Sequence, residues 1–207
     1  MHEWQGVLDN VLATVSPVSG GDTQWAVIGS VATALHGCGV EPGDIDLLAK
    51  RPAGVYRFAE LMTPFTPDRG DDGDDHANWH SSLAQPVDAG PDEYGFYWYF
   101  ARWFIDGVKL EIAHIVGPEL GDDEPQGIWE AGPAVWAHIR EVPFGAWAVP
   151  LVPLEVQLAT NWGRGREERA QAIAAVLQRD GYDHELLARA LSREQLERFM
   201  QLEVLAV

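Results

Sequence analysis

Asp44 and Asp46 lie one residue apart in the run Gly43-Asp-Ile-Asp-Leu-Leu48. Alternate residues of a strand share a face, so the two carboxylates would project together at roughly 6–7 Å, with Ile45 and Leu47 on the other side. Two neighbouring acids are costly for a strand with only a structural duty, and a divalent cation would offset their repulsion. A third acid of the same parity stands in Lys109-Leu-Glu-Ile-Ala113, where Glu111 sits between Leu110 and Ile112. If the two strands are neighbours, three carboxylates converge on one face and repel unless cations neutralise them. Such an all-oxygen donor set suits Mg2+ or Mn2+, with substrate phosphates completing the shell.

Gly29-Ser30 offers a complement to the acids. It follows the apolar strand Trp25-Ala-Val-Ile28 and opens a short helix. Glycine lets a phosphate approach the backbone, the free N–H groups of a helix start attract anions, and Ser30 adds a hydroxyl. A glycine–serine junction alone is common; joined to the acids downstream it gains meaning.

These residues need an α/β frame. The order predicts a helix over 3–15, strands at 24–28 and 44–49 flanking a helix at 30–37, and a further helix at 54–62. Phe96–Ile105 and Val108–Ile115 are aromatic and β-branched runs around Asp106-Gly107, a strong hairpin signal with a type I′ turn. A weaker hairpin is expected through 134–142 and 146–152. After Pro153 the pattern is helical, at 154–162, 167–179, 183–190 and 193–204, with Asp183 as an N-cap and Ser192-Arg-Glu-Gln195 as a capping box. The reading is therefore an α/β domain over 1–152 with a mixed β-sheet covered by helices, followed by a helical region over 153–207. The stretch 64–95 carries no recognisable motif. Its acidic run 68–75 reads as a solvated loop, and His76 and His80 lack a helix to turn their i, i+4 spacing into a metal site.

Gly29-Ser30, thirteen intervening residues, Asp44-Ile-Asp-Leu47 and a later strand-borne acid, Glu111, together resemble the nucleotidyltransferase superfamily of the DNA polymerase β type. The chain is most similar to its small bacterial members: minimal nucleotidyltransferases, lincosamide and aminoglycoside nucleotidyltransferases, and related abortive-infection toxins. The motifs cover about residues 20–116 and extend loosely to Pro153, Glu155, Arg164 or Arg166, and Glu167 or Glu168. The resemblance implies the nucleotidyltransferase fold, with Gly29 and Ser30 holding the β/γ-phosphates of an NTP. It implies that Asp44, Asp46 and Glu111 ligate Mg2+ or Mn2+, and that Glu111 helps deprotonate an acceptor hydroxyl. The implied reaction is in-line attack on the α-phosphate with loss of pyrophosphate. The family's frequent basic residue near the second strand has only Lys50 and Arg51 as counterparts.

Composition narrows the partners. With 32 acidic against 14 basic residues the net charge is −18, which repels nucleic acid at long range and makes it a poor general partner. A small cationic acceptor fits that balance, with a protein or tRNA hydroxyl as the rival and a non-catalytic binding protein as the reading from another class. The single cysteine, Cys38, excludes an internal disulfide and reads as a buried, inert thiol. No run reaches the roughly 18 apolar residues of a membrane helix, and Met1-His-Glu-Trp-Gln5 lacks a secretory start, so a cytoplasmic protein is expected.

Overall fold

The alternation in Asp44–Ala49 decides which way the central strand faces. The computed structural model describes residues 2–15, 21–69, 79–117 and 127–205. In it β2 (Asp44–Ala49) buries Ile45, Leu47 and Ala49 on one side and turns Asp44 and Asp46 to the other. Beside it run β1 (Trp25–Ile28), antiparallel, and β5 (Val108–Val116), parallel. The remaining strands are β3 (Asp88–Pro91), β4 (Tyr97–Ile105), β6 (Arg140–Phe144) and β7 (Trp147–Leu151). They complete a seven-stranded mixed sheet in the order β3-β4-β5-β2-β1-β7-β6.

One face of the sheet carries the larger apolar cluster. Ile45, Leu47, Val27, Leu110, Ile112, Trp103 and Leu151 pack there under α1 (Glu3–Val15) and α3 (Pro52–Leu61). The periodicity of α1 accounts for this: Trp4, Val7, Leu8, Val11, Leu12 and Val15 fall on one stripe and are all buried. The opposite face is covered in part. Ala26 and Leu48 meet Ile128, Val135, Val156 of α4 (Leu154–Gly163) and Leu186 of α6 (His184–Ala190). Helices α5 (Glu167–Asp180) and α7 (Arg193–Leu205) join α4 and α6 in a further cluster that includes Cys38, and α2 (Gly29–Leu35) links β1 to β2. Among the described residues no helix is long and apolar enough to cross a membrane.

Most expected elements are present within a residue or two. The Asp106-Gly107 hairpin has φ of +49° and +82° at its two corners, as a type I′ turn requires. Asp183 caps α6 by accepting from the Glu185 and Leu186 backbones. Ser192 and Gln195 exchange both bonds of the capping box, at 3.0 and 3.2 Å. Two expectations need correction. The 134–142 strand is a 3-10 turn over Pro133–Ala137 before β6 begins at Arg140, because proline opens the turn. Strand β3 was not foreseen: Asp88-Ala-Gly-Pro91 has no β-forming side chains and is held at the sheet edge by pairing with β4. Residues 70–78, with His76 and most of the acidic run, lie outside the described residues.

Candidate active site

Parallel pairing of β2 and β5 sets Asp46 opposite Glu111 and Asp44 opposite Lys109. The three acids singled out by spacing therefore do share one sheet face. Ser30 stands at the start of α2, its Oγ 3.5 Å from Asp44 Oδ1. Burial, followed by the Asp44 and Glu111 carboxylates, pushes the Asp46 carboxyl up to about 7. Gly29 is the tight point of the turn, with φ of +65°, and a Cβ there would lie 2.9 Å from Asp46 Oδ2. Gly29→Ala is thus expected to cost about 1–2 kcal/mol for the left-handed backbone alone, and to push Asp46 aside. An unchanged denaturation midpoint would contradict this account of the turn.

The turn is braced from behind. Thr33 Oγ1 lies 2.8 Å from the Gly29 carbonyl and 2.6 Å from Gln157 Oε1, while Gln157 Nε2 donates to the Val152 carbonyl at 2.9 Å. These groups are buried, so α4 locks the β1–α2 junction. Helix α2 has only seven residues, and its N-terminal dipole is correspondingly slight. Any strong attraction for phosphate has to come from side chains.

Four charged residues around the acids stand outside the set expected from sequence. Lys109 Nζ lies 3.3 Å from Asp44 Oδ2 and 3.0 Å from Glu111 Oε2. Arg102, opposite Glu111 across the β4–β5 hairpin, places Nε 2.6 Å from Glu111 Oε1 and donates from Nη1 to the Trp79 carbonyl at 3.1 Å. Arg169, on α5, is held below its ordinary value first by burial and then by Arg166, with Asp44, Asp46 and Glu130 opposing the shift. Glu130, 8% exposed, accepts from the Gly29 backbone and Thr160, with Arg164 and Arg166 nearby; burial nevertheless holds its carboxyl above the usual range. Alternation with Glu111 and hairpin counting across Asp106-Gly107 could have revealed Lys109 and Arg102. No local signal marks Arg169 or Glu130.

Arg166 and Arg169 also line a cleft of about 860 Å3 with Gly39, Val40 and Glu41, the loop that leads into Asp44. Lys50 is elsewhere: it donates to Gln24 Oε1 at 3.1 Å and lies over the Trp136 ring, at the far end of β2 from Asp44. His36 and His114 have backbone partners. A His36 ring nitrogen lies 3.1 Å from the Val152 carbonyl, and a His114 one 2.9 Å from that of Ala49. Burial pushes the Cys38 thiol up to about 11, which makes it a poor nucleophile.

This architecture matches a crystal structure from Thermotoga maritima, TM1012, described as "a putative nucleotidyltransferase". The TM-score is 0.56 at 24% sequence identity, and the match spans 86% of this chain and 94% of that one. The chain has a nucleotidyltransferase fold. No protein-family model matches it, and no curated protein does. Within the nucleotidyltransferase fold seen here, Gly29-Ser30, Asp44, Asp46 and Glu111 all lie at the same end of β1, β2 and β5.

The donor set can be tested against a metal. As the side chains stand, no three acidic, imidazole or thiol groups among the described residues close round an ion. Arg102 and Lys109 between them engage both oxygens of Glu111 and one of Asp44. Asp46 is different. Burial and the two flanking acids disfavour its charge, and Lys109 opposes them. A hard cation between Asp44 and Asp46 would supply the missing positive charge, so the residues fit Mg2+ or Mn2+.

Proposed function

We propose that this protein is a Mg2+- or Mn2+-dependent nucleotidyltransferase that moves a nucleoside monophosphate from an NTP to a hydroxyl group. The observation that carries the proposal is the in-register pairing of Asp46 with Glu111, beside Asp44 and the Gly29-Ser30 turn. Asp44 and Asp46 would hold the cation, with Glu111 as the third carboxylate, and the bound ion would polarise the α-phosphate. Ser30 would donate to the phosphate chain. Arg166 and Arg169, on the lip of the adjoining cleft, would receive its far end as planar, multi-donor cations. The acceptor oxygen bonds to the α-phosphorus, the bond to the β-phosphate oxygen breaks, and pyrophosphate leaves. Glu111 takes the hydroxyl proton once one of its cation partners releases it.

A small polycationic molecule suits a chain of net charge −18 as acceptor, because an acidic surface concentrates it. The experiment is pyrophosphate release from each NTP with Mg2+, across a panel of cationic small molecules, tRNA and proteins, beside calorimetry of NTP binding. Metal-dependent NTP binding with turnover on a small cation is the expected result. Absence of both would overturn the enzyme reading, and turnover on tRNA or protein would correct the acceptor. Arg169→Ala is expected to weaken NTP binding by about tenfold, the worth of one charge-assisted pair.

A further inference from the structure

In Lys109-Leu-Glu111 a base and an acid share one face of β5, as alternation dictates. Register with β2 makes this a square: Asp44 faces Lys109 and Asp46 faces Glu111. The Lys109 ammonium reaches across to Asp44 at 3.3 Å and along its own strand to Glu111 at 3.0 Å. It therefore spans two of the three carboxylates, which is where a bound cation would have to draw them together. Lys109 is about two-thirds shielded and Glu111 more so, at 32% and 17% side-chain exposure, so the pairs are not the loosely screened kind found on open surfaces. Arg102 holds the other Glu111 oxygen and is itself anchored on the Trp79 carbonyl. Arg102 is thus fixed, whereas Lys109, on a flexible four-carbon stem, is the cation that can leave.

We propose that Lys109 is the resident counter-ion of the carboxylate cluster, a positioning residue that a divalent metal must displace in order to bind. The inference rests on reading Asp44, Asp46 and Glu111 as the metal carboxylates, and it adds that this chain weakens its own metal affinity when no metal is present. Before loading, Lys109 keeps Asp44 and Glu111 from repelling each other. On loading, the ion takes over that duty and the ammonium swings out. The same residue therefore stabilises the metal-free protein and opposes the metal.

That dual role separates it from an ordinary structural ion pair. The test titrates Mn2+ into the full metal-free chain without nucleotide, followed by electron paramagnetic resonance and calorimetry, for wild type, Lys109→Met, Lys109→Gln, Lys109→Arg and Asp46→Asn. Thermal melts are recorded with and without Mn2+. Lys109→Met and Lys109→Gln are expected to bind Mn2+ about tenfold more tightly than wild type, within the usual range for coupled sites. Both are expected to melt lower than wild type without metal and to gain more on its addition, while Lys109→Arg stays close to wild type. Should one neutral variant fail to fold, the other carries the comparison. If the neutral variants bind Mn2+ no more tightly while Asp46→Asn abolishes binding, the counter-ion role is overturned and the metal site stands. If wild type and neutral variants alike fail to bind Mn2+, the metal reading falls and takes this inference with it.

Discussion

Asp46→Asn is expected to abolish nucleotidyl transfer, by about a thousandfold or more, while raising the melting temperature of the metal-free protein. The two effects have one cause. The Asp46 carboxylate is buried beside Asp44 and Glu111, which pushes its carboxyl up to about 7 from an ordinary 3.8. A folded-state value above the unfolded one means that the folded protein holds the proton more tightly. Stability is then gained as pH falls from about 7 towards 3.8 and is lost as it rises through that window. The full displacement corresponds to at most about 4 kcal/mol at high pH. Asparagine removes the charge but must still satisfy an amide in the same place, so a gain of about 2 kcal/mol, or roughly 5 °C, is expected at pH 8. The advantage should shrink steadily below pH 7 and be gone near pH 4. A variant less stable than wild type at pH 8 would show that Asp46 is a structural group, and retained turnover would remove it from the metal site.

Arg140→Leu is expected to cost about 3 kcal/mol, one of the larger losses open to a single surface-reaching residue. Glu155, in the first turn of α4, is fully buried at 0% exposure. Its Oε1 accepts from Arg140 Nη2 at 2.8 Å and from the Asp183 backbone at 2.9 Å, while Oε2 has no hydrogen-bond partner. That carboxylate therefore joins β6, α4 and the start of α6 at one point. Removing the guanidinium strands a charge in the interior; removing both charges does not. Arg140→Leu combined with Glu155→Gln should recover most of the loss, and urea denaturation of the two variants measures the difference. Equal midpoints for the single and double variants would refute the pairing. The activity of Arg140→Leu should survive well below its melting temperature, since the pair lies in the helical junction and not among the acids. Glu155 is among the positions to which the family resemblance extends, and its contacts here join β6, α4 and α6.

Parity made the acid face legible. Asp46 and Glu111 each sit between apolar neighbours and Asp44 precedes Ile45, so burying Ile45, Leu47, Leu110 and Ile112 forces all three acids to the other side. Local chemistry likewise located the Asp106-Gly107 turn, the Asp183 cap and the Ser192–Gln195 box, because each is decided within four residues. Hairpin counting even reaches Arg102, since a two-residue turn at 106–107 sets residue 102 opposite 111. Strand β3 escaped notice because its pairing depends on β4 and not on its own side chains.

What sequence alone determined about this protein is the parity of its acids, each turned away from its own strand's buried side, and the glycine–serine turn before the second strand. What tertiary structure decided is their company. Only parallel pairing of β2 with β5, across some 65 residues of chain, brings Glu111 to Asp46 and lays Lys109 against Asp44. Only the packing of α4 against the sheet and of α5 against α4 brings Arg169 within reach of the acids and sets Glu130 between Gly29 and Thr160. The reason is physical: periodicity records which side of an element is wet or dry, whereas charge partners from distant segments are chosen by how those elements pack, and no local pattern encodes that choice.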